Sequence, residues 1–186
     1  MGLLKDNNAA HGTVRAALQN ALIQLESIDE EKAVNLADWI FKKCRNVKRI
    51  GQKRFNKLPS YLKRGDIIRV EFGINIGDEL SDYGTDGHFA MIWAQQGLCF
   101  LVLPFTKKTQ GSNPHAVNIG KINGLPVSAD TYVKLDYMRW VYSTRILWIN
   151  EEKDGKIIIQ DNTNPNRLAE VIQLIKDKMA EVFINN

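Results

Sequence analysis

The sequence has few residues of the types that cross-link or interrupt a chain, and no apolar run long enough for a membrane span. It has only two cysteines, Cys44 and Cys99, and five prolines in 186 residues. Because both cysteines lie in apolar segments without metal-ligand spacing, we expect two reduced, buried thiols. The first residues lack the apolar segment of a signal peptide. These absences favour a cytoplasmic protein that needs no metal or other cofactor.

Acidic residues are missing from one part of the chain. From Lys42 to Arg64 there are ten lysines and arginines and no aspartate or glutamate. The next stretch, from Asp66 to Asp86, is acidic, and Arg69 is its one basic residue. This arrangement fits a phosphate-binding surface, and it fits equally well internal charge pairing between neighbouring segments.

Apolar residues at helical spacing predict three helices. The first runs over Thr13–Ile28 with Thr13 as its cap, and the second over Asp29–Val47 with Asp29 as its cap. An amphipathic helix over Asn166–Phe183 closes the chain. Each helix has one apolar face, so we expect all three to pack on the barrel in the middle of the chain and not to form a separate domain. We divide the chain into a helical N-terminal extension, residues 1–58, and a domain over residues 59–186.

Strand-like patterns fill the middle of the chain. Residues alternate over Asp66–Phe72, with Ile68, Val70 and Phe72 on one face. Two apolar strands, Phe89–Ala94 and Leu98–Leu103, form a hairpin, and a long polar loop follows. The further predicted strands are Tyr132–Leu135, Met138–Tyr142, Ile146–Asn150 and Lys156–Ile159. The fold class is therefore α+β, a small closed barrel flanked by helices.

Four segments of this region occur in the order of a known family. They are Lys63 to Gly73 with Gly77-Asp78-Glu79, Gly87 to Ile92, Val102 to Lys107, and Val133 to Arg139 continued by Ser143 to Ile146. Together they resemble the first strand and glycine–glutamate loop, the second strand, the "apolar-Pro-x-Thr-Ser" segment and the "Leu-Asp-x-x-Arg" segment of MazF/PemK toxins. The resemblance covers about residues 63–147 and leaves out the helices at both ends.

The resemblance implies an SH3-like barrel that acts as a homodimer and cuts single-stranded messenger RNA without a metal. Such toxins are endoribonucleases of toxin–antitoxin systems, and a cognate antitoxin protein holds them inactive. The ribose 2′-hydroxyl attacks its own phosphate and leaves a cyclic phosphate and a free 5′-hydroxyl. This chemistry needs a base, an acid and donors for the developing negative charge.

The family's catalytic positions fall on four residues of this sequence, namely His88, Thr106, Asp136 and Arg139. We expect Lys107, Lys108, Lys134 and Arg145 to bind RNA. His88 stands where the family has arginine, and Lys107 stands in place of the serine after the threonine. Histidine can donate or accept a proton near neutral pH, whereas arginine keeps its proton.

Structural roles compete with these assignments. Asp136 and Arg139 could form an ion pair across a turn, and Thr106 could be an ordinary hydroxyl at a strand end. The four tryptophans, Trp39, Trp93, Trp140 and Trp148, are predicted to lie in the core or in a dimer interface. The alternative function is a catalytically inactive barrel of the same type that binds nucleic acid or protein. A third possibility is that the N-terminal helices are a fused, antitoxin-like regulator.

Overall fold

A computed structural model describes residues 3–50, 62–75, 87–107, 113–122, 125, 130–147, 157–158 and 166–183 of the chain. The residues form two compact units, Met1–Lys43 and Cys44–Asn186. The predicted domain boundary at residue 58 lies outside the described residues, as do the Gly77-Asp78-Glu79 segment, Lys108 and Trp148. None of the helices among these residues is long and apolar enough to cross a membrane.

Three α-helices form where periodicity predicts them, with different bounds. They are α1 (Asn8–Leu25), α2 (Glu30–Arg49) and α3 (Arg167–Phe183). The cap predicted for α2 is confirmed, because the carboxylate of Asp29 accepts a hydrogen bond from the backbone N–H of Lys32 at 3.1 Å. The cap predicted for α1 is wrong. Asn7 caps that helix, and the Thr13 hydroxyl donates to the carbonyl of Ala9 inside it.

The described residues contribute eight strands to one sheet of antiparallel pairs. The strands are β1 (Asp66–Val70), β2 (His88–Gln96), β3 (Cys99–Thr106), β4 (Ala116–Gly120), β5 (Thr131–Lys134), β6 (Arg139–Tyr142), β7 (Ile146–Leu147) and β8 (Ile157–Ile158). The main path through the sheet is β4-β5-β3-β2-β1-β7, with β6 also on β3 and β8 also on β1. The α+β class predicted from the sequence is therefore confirmed.

The two faces of the central strands belong to two hydrophobic cores. In β1, Ile67 enters the core that α3 covers with Val171 and Ile175. Its neighbour Ile68 lies in the other core with Val70 and Phe72, as the alternation predicts. The second core also contains Leu62, Ala90, Ile92, Phe100, Val102, Val141 and Ile146.

Packing on the sheet is confirmed for α3, while α1 belongs to the other unit. The buried residues of α3 are Val171, Ile175 and Val182. No residue of α1 is buried, and Leu18 and Leu22 are exposed. The other described residues of its unit therefore leave the apolar face of α1 uncovered.

Two further predictions need correction. The strand β4 occupies part of the predicted long loop. It is held by hydrogen bonds to β5, and the periodicity of the sequence cannot predict such pairing. Cys44, predicted to be buried, is exposed on α2, and Cys99 is half-buried. Of the tryptophans, Trp140 is 48% exposed and therefore not in the core, which leaves the dimer interface as its predicted place, while Trp39 and Trp93 are half-buried.

Candidate functional site

His88 opens β2 and lies directly opposite Val70 at the end of β1. The residue before it, Gly87, has a φ of +105°, and a Cβ there would lie 2.6 Å from the carbonyl oxygen of Val70. Only glycine fits this conformation and this close approach. The backbone conformation of Gly87 therefore places His88 beside Val70 at the end of β1, two residues before Phe72.

The buried ring of Phe72 brings His88 and Arg139 together. Phe72 is 1% exposed. The His88 imidazole lies 6.0 Å from it, centroid to centroid, at an interplanar angle of 55°. The Arg139 guanidinium carbon is 5.5 Å from the centre of the same ring, within the range of a cation–π contact. These two side chains, far apart in sequence, thus share one aromatic support.

Strand register explains how Arg139 reaches this position. Arg139 opens β6 and pairs with Val102 of β3, whose side chain is in the same core as Phe72. Directly opposed residues of antiparallel strands point to the same face of the sheet. Arg139 therefore projects to the face on which His88 and Phe72 lie.

A second arginine is fixed to the same segment by its backbone and its side chain. Nη2 of Arg145 donates to the carbonyl oxygen of Phe72. The carbonyl of Arg145 accepts from the N–H of Glu71 at 2.9 Å. We call the three residues that contact Phe72 the Phe72 cluster: His88 and Arg139 at its ring, and Arg145 at its carbonyl oxygen. It joins two residues predicted to be catalytic with one predicted to bind RNA.

Thr106 is the last residue of β3, and it lies at the same end of the β2–β3 pair as His88. Ala90 pairs with Pro104, and two more residues along each strand lead to His88 and Thr106. This register puts both residues on the face that carries Ala90 and the second core. The next residue, Lys107, is exposed. A hydroxyl and an ammonium group therefore stand at the strand end beside the cluster.

The structure does not bring Asp136 and Lys134 into the Phe72 cluster. Asp136 is exposed in a short 3₁₀ helix, and its carboxylate accepts from the side-chain amide of Asn113 at 3.3 Å. The Lys134 ammonium is buried, 3.6 Å from the centre of the Tyr137 ring. Among the described residues, Asp136 and Arg139 do not form the ion pair considered from the sequence.

A buried polar pair lies behind the cluster. Glu71 is buried, and its carboxylate accepts a hydrogen bond from the side-chain amide of Asn46 at 3.1 Å. Both residues belong to the unit Cys44–Asn186. Alternation along the chain directs Glu71 to the face opposite that of Phe72. The Glu71 carboxylate therefore links the segment after β1 to Asn46 of α2 and is not part of the cluster.

The arrangement combines one group that can exchange a proton with two permanent cations. Imidazole gains and loses a proton near neutral pH, and guanidinium does not. The Arg139 guanidinium suits a phosphate diester, because a guanidinium can donate parallel hydrogen bonds to its oxygens. Arg145 adds a positive charge, while its Nη2 donates to the Phe72 carbonyl. The cluster therefore contains the elements for binding a phosphate and for one proton transfer.

Phe72 is the residue that the sequence did not identify as part of a site. Its position in the alternation predicts a core residue, and its side chain is indeed buried. Its role as a support for two polar side chains depends on the pairing of β1 with β2 and of β3 with β6. The sequence offers one signal for this, the glycine before His88 in a strand-opening position.

The described residues contain no group of three or more histidine, cysteine, aspartate or glutamate side chains that could hold a metal ion. A scan of the whole sequence against protein-family models found no match. A search of curated proteins found no match either.

Proposed function

We propose that the segment over about residues 63–147 is an SH3-like barrel of the MazF/PemK type that cuts single-stranded RNA without a metal. The observation that carries this proposal is the Phe72 cluster. His88 and Arg139, at two positions that the resemblance marks as catalytic, both contact the ring of Phe72. Thr106 is the last residue of β3, at the same end of the β2–β3 pair as His88.

Strand order supports the barrel. The strands β1, β2 and β3 pair in sequence, β6 adds to β3, and β7 adds to β1. Only the 3₁₀ turn Ser143–Arg145 separates β6 from β7. The two outer edges of the three-stranded unit are therefore joined by consecutive strands, as closure of a small barrel requires. The second core, which contains Phe72, fills the space between them.

The proposed reaction is attack of the ribose 2′-oxygen on the adjacent phosphorus with loss of the 5′-oxygen. His88 takes the proton from the 2′-hydroxyl or gives one to the leaving 5′-oxygen. Arg139 and Arg145 offset the negative charge that grows on the phosphorane, and Thr106, Lys107 and Lys108 hold the flanking phosphate. The products are a 2′,3′-cyclic phosphate and a 5′-hydroxyl.

One proton transfer in this scheme has no donor or acceptor within the cluster, because guanidinium groups keep their protons. A carboxylate at Asp136 would supply it if the loop that carries Asp136 turned toward the RNA. In the present geometry Asp136 binds Asn113, and water is the simplest partner. The role of Asp136 stays a prediction that a single substitution can test.

The biological role that accompanies this activity is that of a cytoplasmic toxin of a toxin–antitoxin system. Its partners would be messenger RNA, a cognate antitoxin protein and a second copy of the chain in a homodimer. Induced expression in a bacterial host is the direct test of toxicity. Growth arrest with cut messenger RNA supports this role, and harmless accumulation of folded protein contradicts it.

The decisive test in vitro is incubation of the full chain with a long RNA in EDTA, followed by mapping of the ends. Cleavage with cyclic-phosphate ends supports the proposal, with the double variant His88→Ala, Arg139→Ala as the matched inactive control. Activity that disappears in EDTA and returns with magnesium would contradict the mechanism. Binding of RNA without cleavage would favour the inactive binding module.

A further inference from the structure

A row of polar side chains crosses the sheet from His88 to β4. His88 and Thr106 lie on the same face of β2 and β3, and Thr106 pairs directly with Tyr132 of β5. Tyr132 pairs in turn with Asn118 of β4. Directly opposed residues of antiparallel strands point to the same face, so these four side chains share one face of the sheet. The neighbour of Tyr132 in β5, Val133, points the other way, into the core that α3 covers.

The far end of this polar row reaches solvent. Asn118 is exposed and Tyr132 is half-buried, whereas Val133 between the two faces of β5 is fully buried. Neighbouring strands lie about 4.8 Å apart, so Tyr132 is about 10 Å from His88, with β3 between them. A nucleotide whose phosphate lies at His88 can therefore place its base on the ring of Tyr132.

A carboxylate is fixed beside the hydroxyl of Tyr132. Nδ2 of Asn118 donates to Oδ2 of Asp130 at 3.0 Å and to the hydroxyl oxygen of Tyr132 at 3.4 Å. Oδ1 of Asn118 accepts from the backbone N–H of Gly120 at 2.8 Å. Because a backbone N–H can only donate, the amide oxygen must face Gly120 and the amide nitrogen must face Asp130. The exposed carboxylate of Asp130 is therefore held close to the edge of the Tyr132 ring.

We propose that Tyr132 and Asp130 form a binding site for a guanine base of the RNA, next to the phosphate that is cut. The ring stacks on the base, an interaction that accepts any base. The carboxylate supplies the selection, because it only accepts hydrogen bonds and its two oxygens have about four lone-pair sites. Guanine has two neighbouring N–H donors on its Watson–Crick edge, at N1 and N2. Adenine, cytosine and uracil each have a single donor group there, beside acceptors that the carboxylate repels.

This guanine site rests on the proposed function, because its position assumes that the phosphate lies at His88. Its test does not need cleavage. Oligonucleotides with 2′-fluoro sugars lack the attacking hydroxyl and stay intact, so binding and cutting can be measured separately. If the full chain binds guanine as expected and cuts no RNA, the proposed function fails and the site stands. If the chain cuts RNA and shows no guanine preference in binding, the site fails alone.

Fluorescence anisotropy with labelled 2′-fluoro oligouridine tests the selection by Asp130. We expect one central guanine to tighten binding about tenfold, as a good bidentate contact to a base does, and hypoxanthine, which lacks the N2 amino group, to lose most of this gain. Asp130→Ala should abolish the preference for guanine. Asp177→Ala is the matched control, because Asp177 is also exposed and also accepts from a side-chain amide, that of Gln173 at 2.7 Å.

Stacking on Tyr132 is tested with the same oligonucleotides. Tyr132→Leu should weaken binding about tenfold, and Tyr132→Phe, which keeps the ring, should bind like the wild type. Circular dichroism checks that both variants keep the fold. Equal dissociation constants of the wild type for the guanine and all-uridine oligonucleotides would overturn the proposal, as would the absence of binding to either. So would a guanine preference that survives Asp130→Ala, or equal binding by the folded Tyr132→Leu and Tyr132→Phe variants.

Discussion

The Phe72 cluster and the surroundings of Asp136 contain residues predicted for the same site, but their contacts have different origins. His88 and Arg139 come from different strands, and β3 lies between those strands and pairs with both. Asp136 sits in the short connection between β5 and β6 and contacts Asn113 in the turn before β4. Strand register builds the first group, and a hydrogen bond between two connecting segments, 23 residues apart in sequence, builds the second. The cluster is therefore the part whose geometry the fold itself maintains.

The largest effect should come from removing a residue of the cluster. We expect His88→Ala to lower the rate of RNA cleavage about 100-fold or more, the range of one acid–base group. Arg139→Ala should cost on the order of 100-fold, as loss of a charge-stabilising donor does. Cleavage of a fluorogenic oligonucleotide under single-turnover conditions measures both. Lys121→Ala is the matched control for loss of a positive charge, because Lys121 follows β4, the strand at one end of the sheet order. If both cluster variants keep the parental rate while folded, the cluster is not the active site.

The second largest effect concerns the glycine that positions His88. Gly87→Ala adds backbone strain and a Cβ 2.6 Å from the carbonyl oxygen of Val70, so we expect a loss of about 3 kcal/mol or more in unfolding free energy. Gly97 is the control, because it also has positive φ (+58°) but a Cβ there meets nothing within 4 Å. Gly97→Ala should cost only about 1–2 kcal/mol. Urea unfolding compares the two, and equal losses would mean that the contact with Val70 does not matter.

Local patterns predicted the elements whose signals lie within a few neighbouring residues. The alternation of Ile68, Val70 and Phe72 gave the correct core face, and Asp29 was identified as a cap by its position before the acidic turn. Asn7 was missed because Thr13 has the same capping chemistry, and only the path of the backbone decides between them. The strand β4 was missed because its stability comes from pairing with β5, which is not a local property.

For the site, the sequence could nominate side chains and could not arrange them. Resemblance to a family marked His88, Arg139 and Arg145, but nothing local predicts that one phenylalanine ring would support the first two. Their meeting requires the registers of β1 with β2 and of β3 with β6 together. The same limit explains Cys44, since an apolar helix predicts a buried cysteine unless the partner of each helical face is known.

The pH dependence of cleavage should identify the group that exchanges a proton. Histidine changes its charge between about pH 5 and 8, whereas arginine does not. We expect the wild-type rate to fall with rising pH if His88 is the acid and to rise if it is the base. His88→Arg, which restores the family's residue, should recover part of the activity lost in His88→Ala and give a flatter profile. An unchanged profile in His88→Arg would assign the titration to another group.

The smallest effect should follow Asp136→Asn, for which the family resemblance and the observed geometry predict different results. The resemblance predicts a catalytic carboxylate, and therefore a loss comparable to that of His88→Ala. The geometry predicts much less, because Asp136 is exposed and its carboxylate binds Asn113 and not the cluster. We expect a change of about threefold or less, the scale of ~0.5 kcal/mol that ordinary surface substitutions produce. Asn113→Ala serves as the control, since it removes the same hydrogen bond from the other side. A 100-fold loss in Asp136→Asn with full activity in Asn113→Ala would mean that RNA draws Asp136 into the cluster and that it supplies the missing proton transfer.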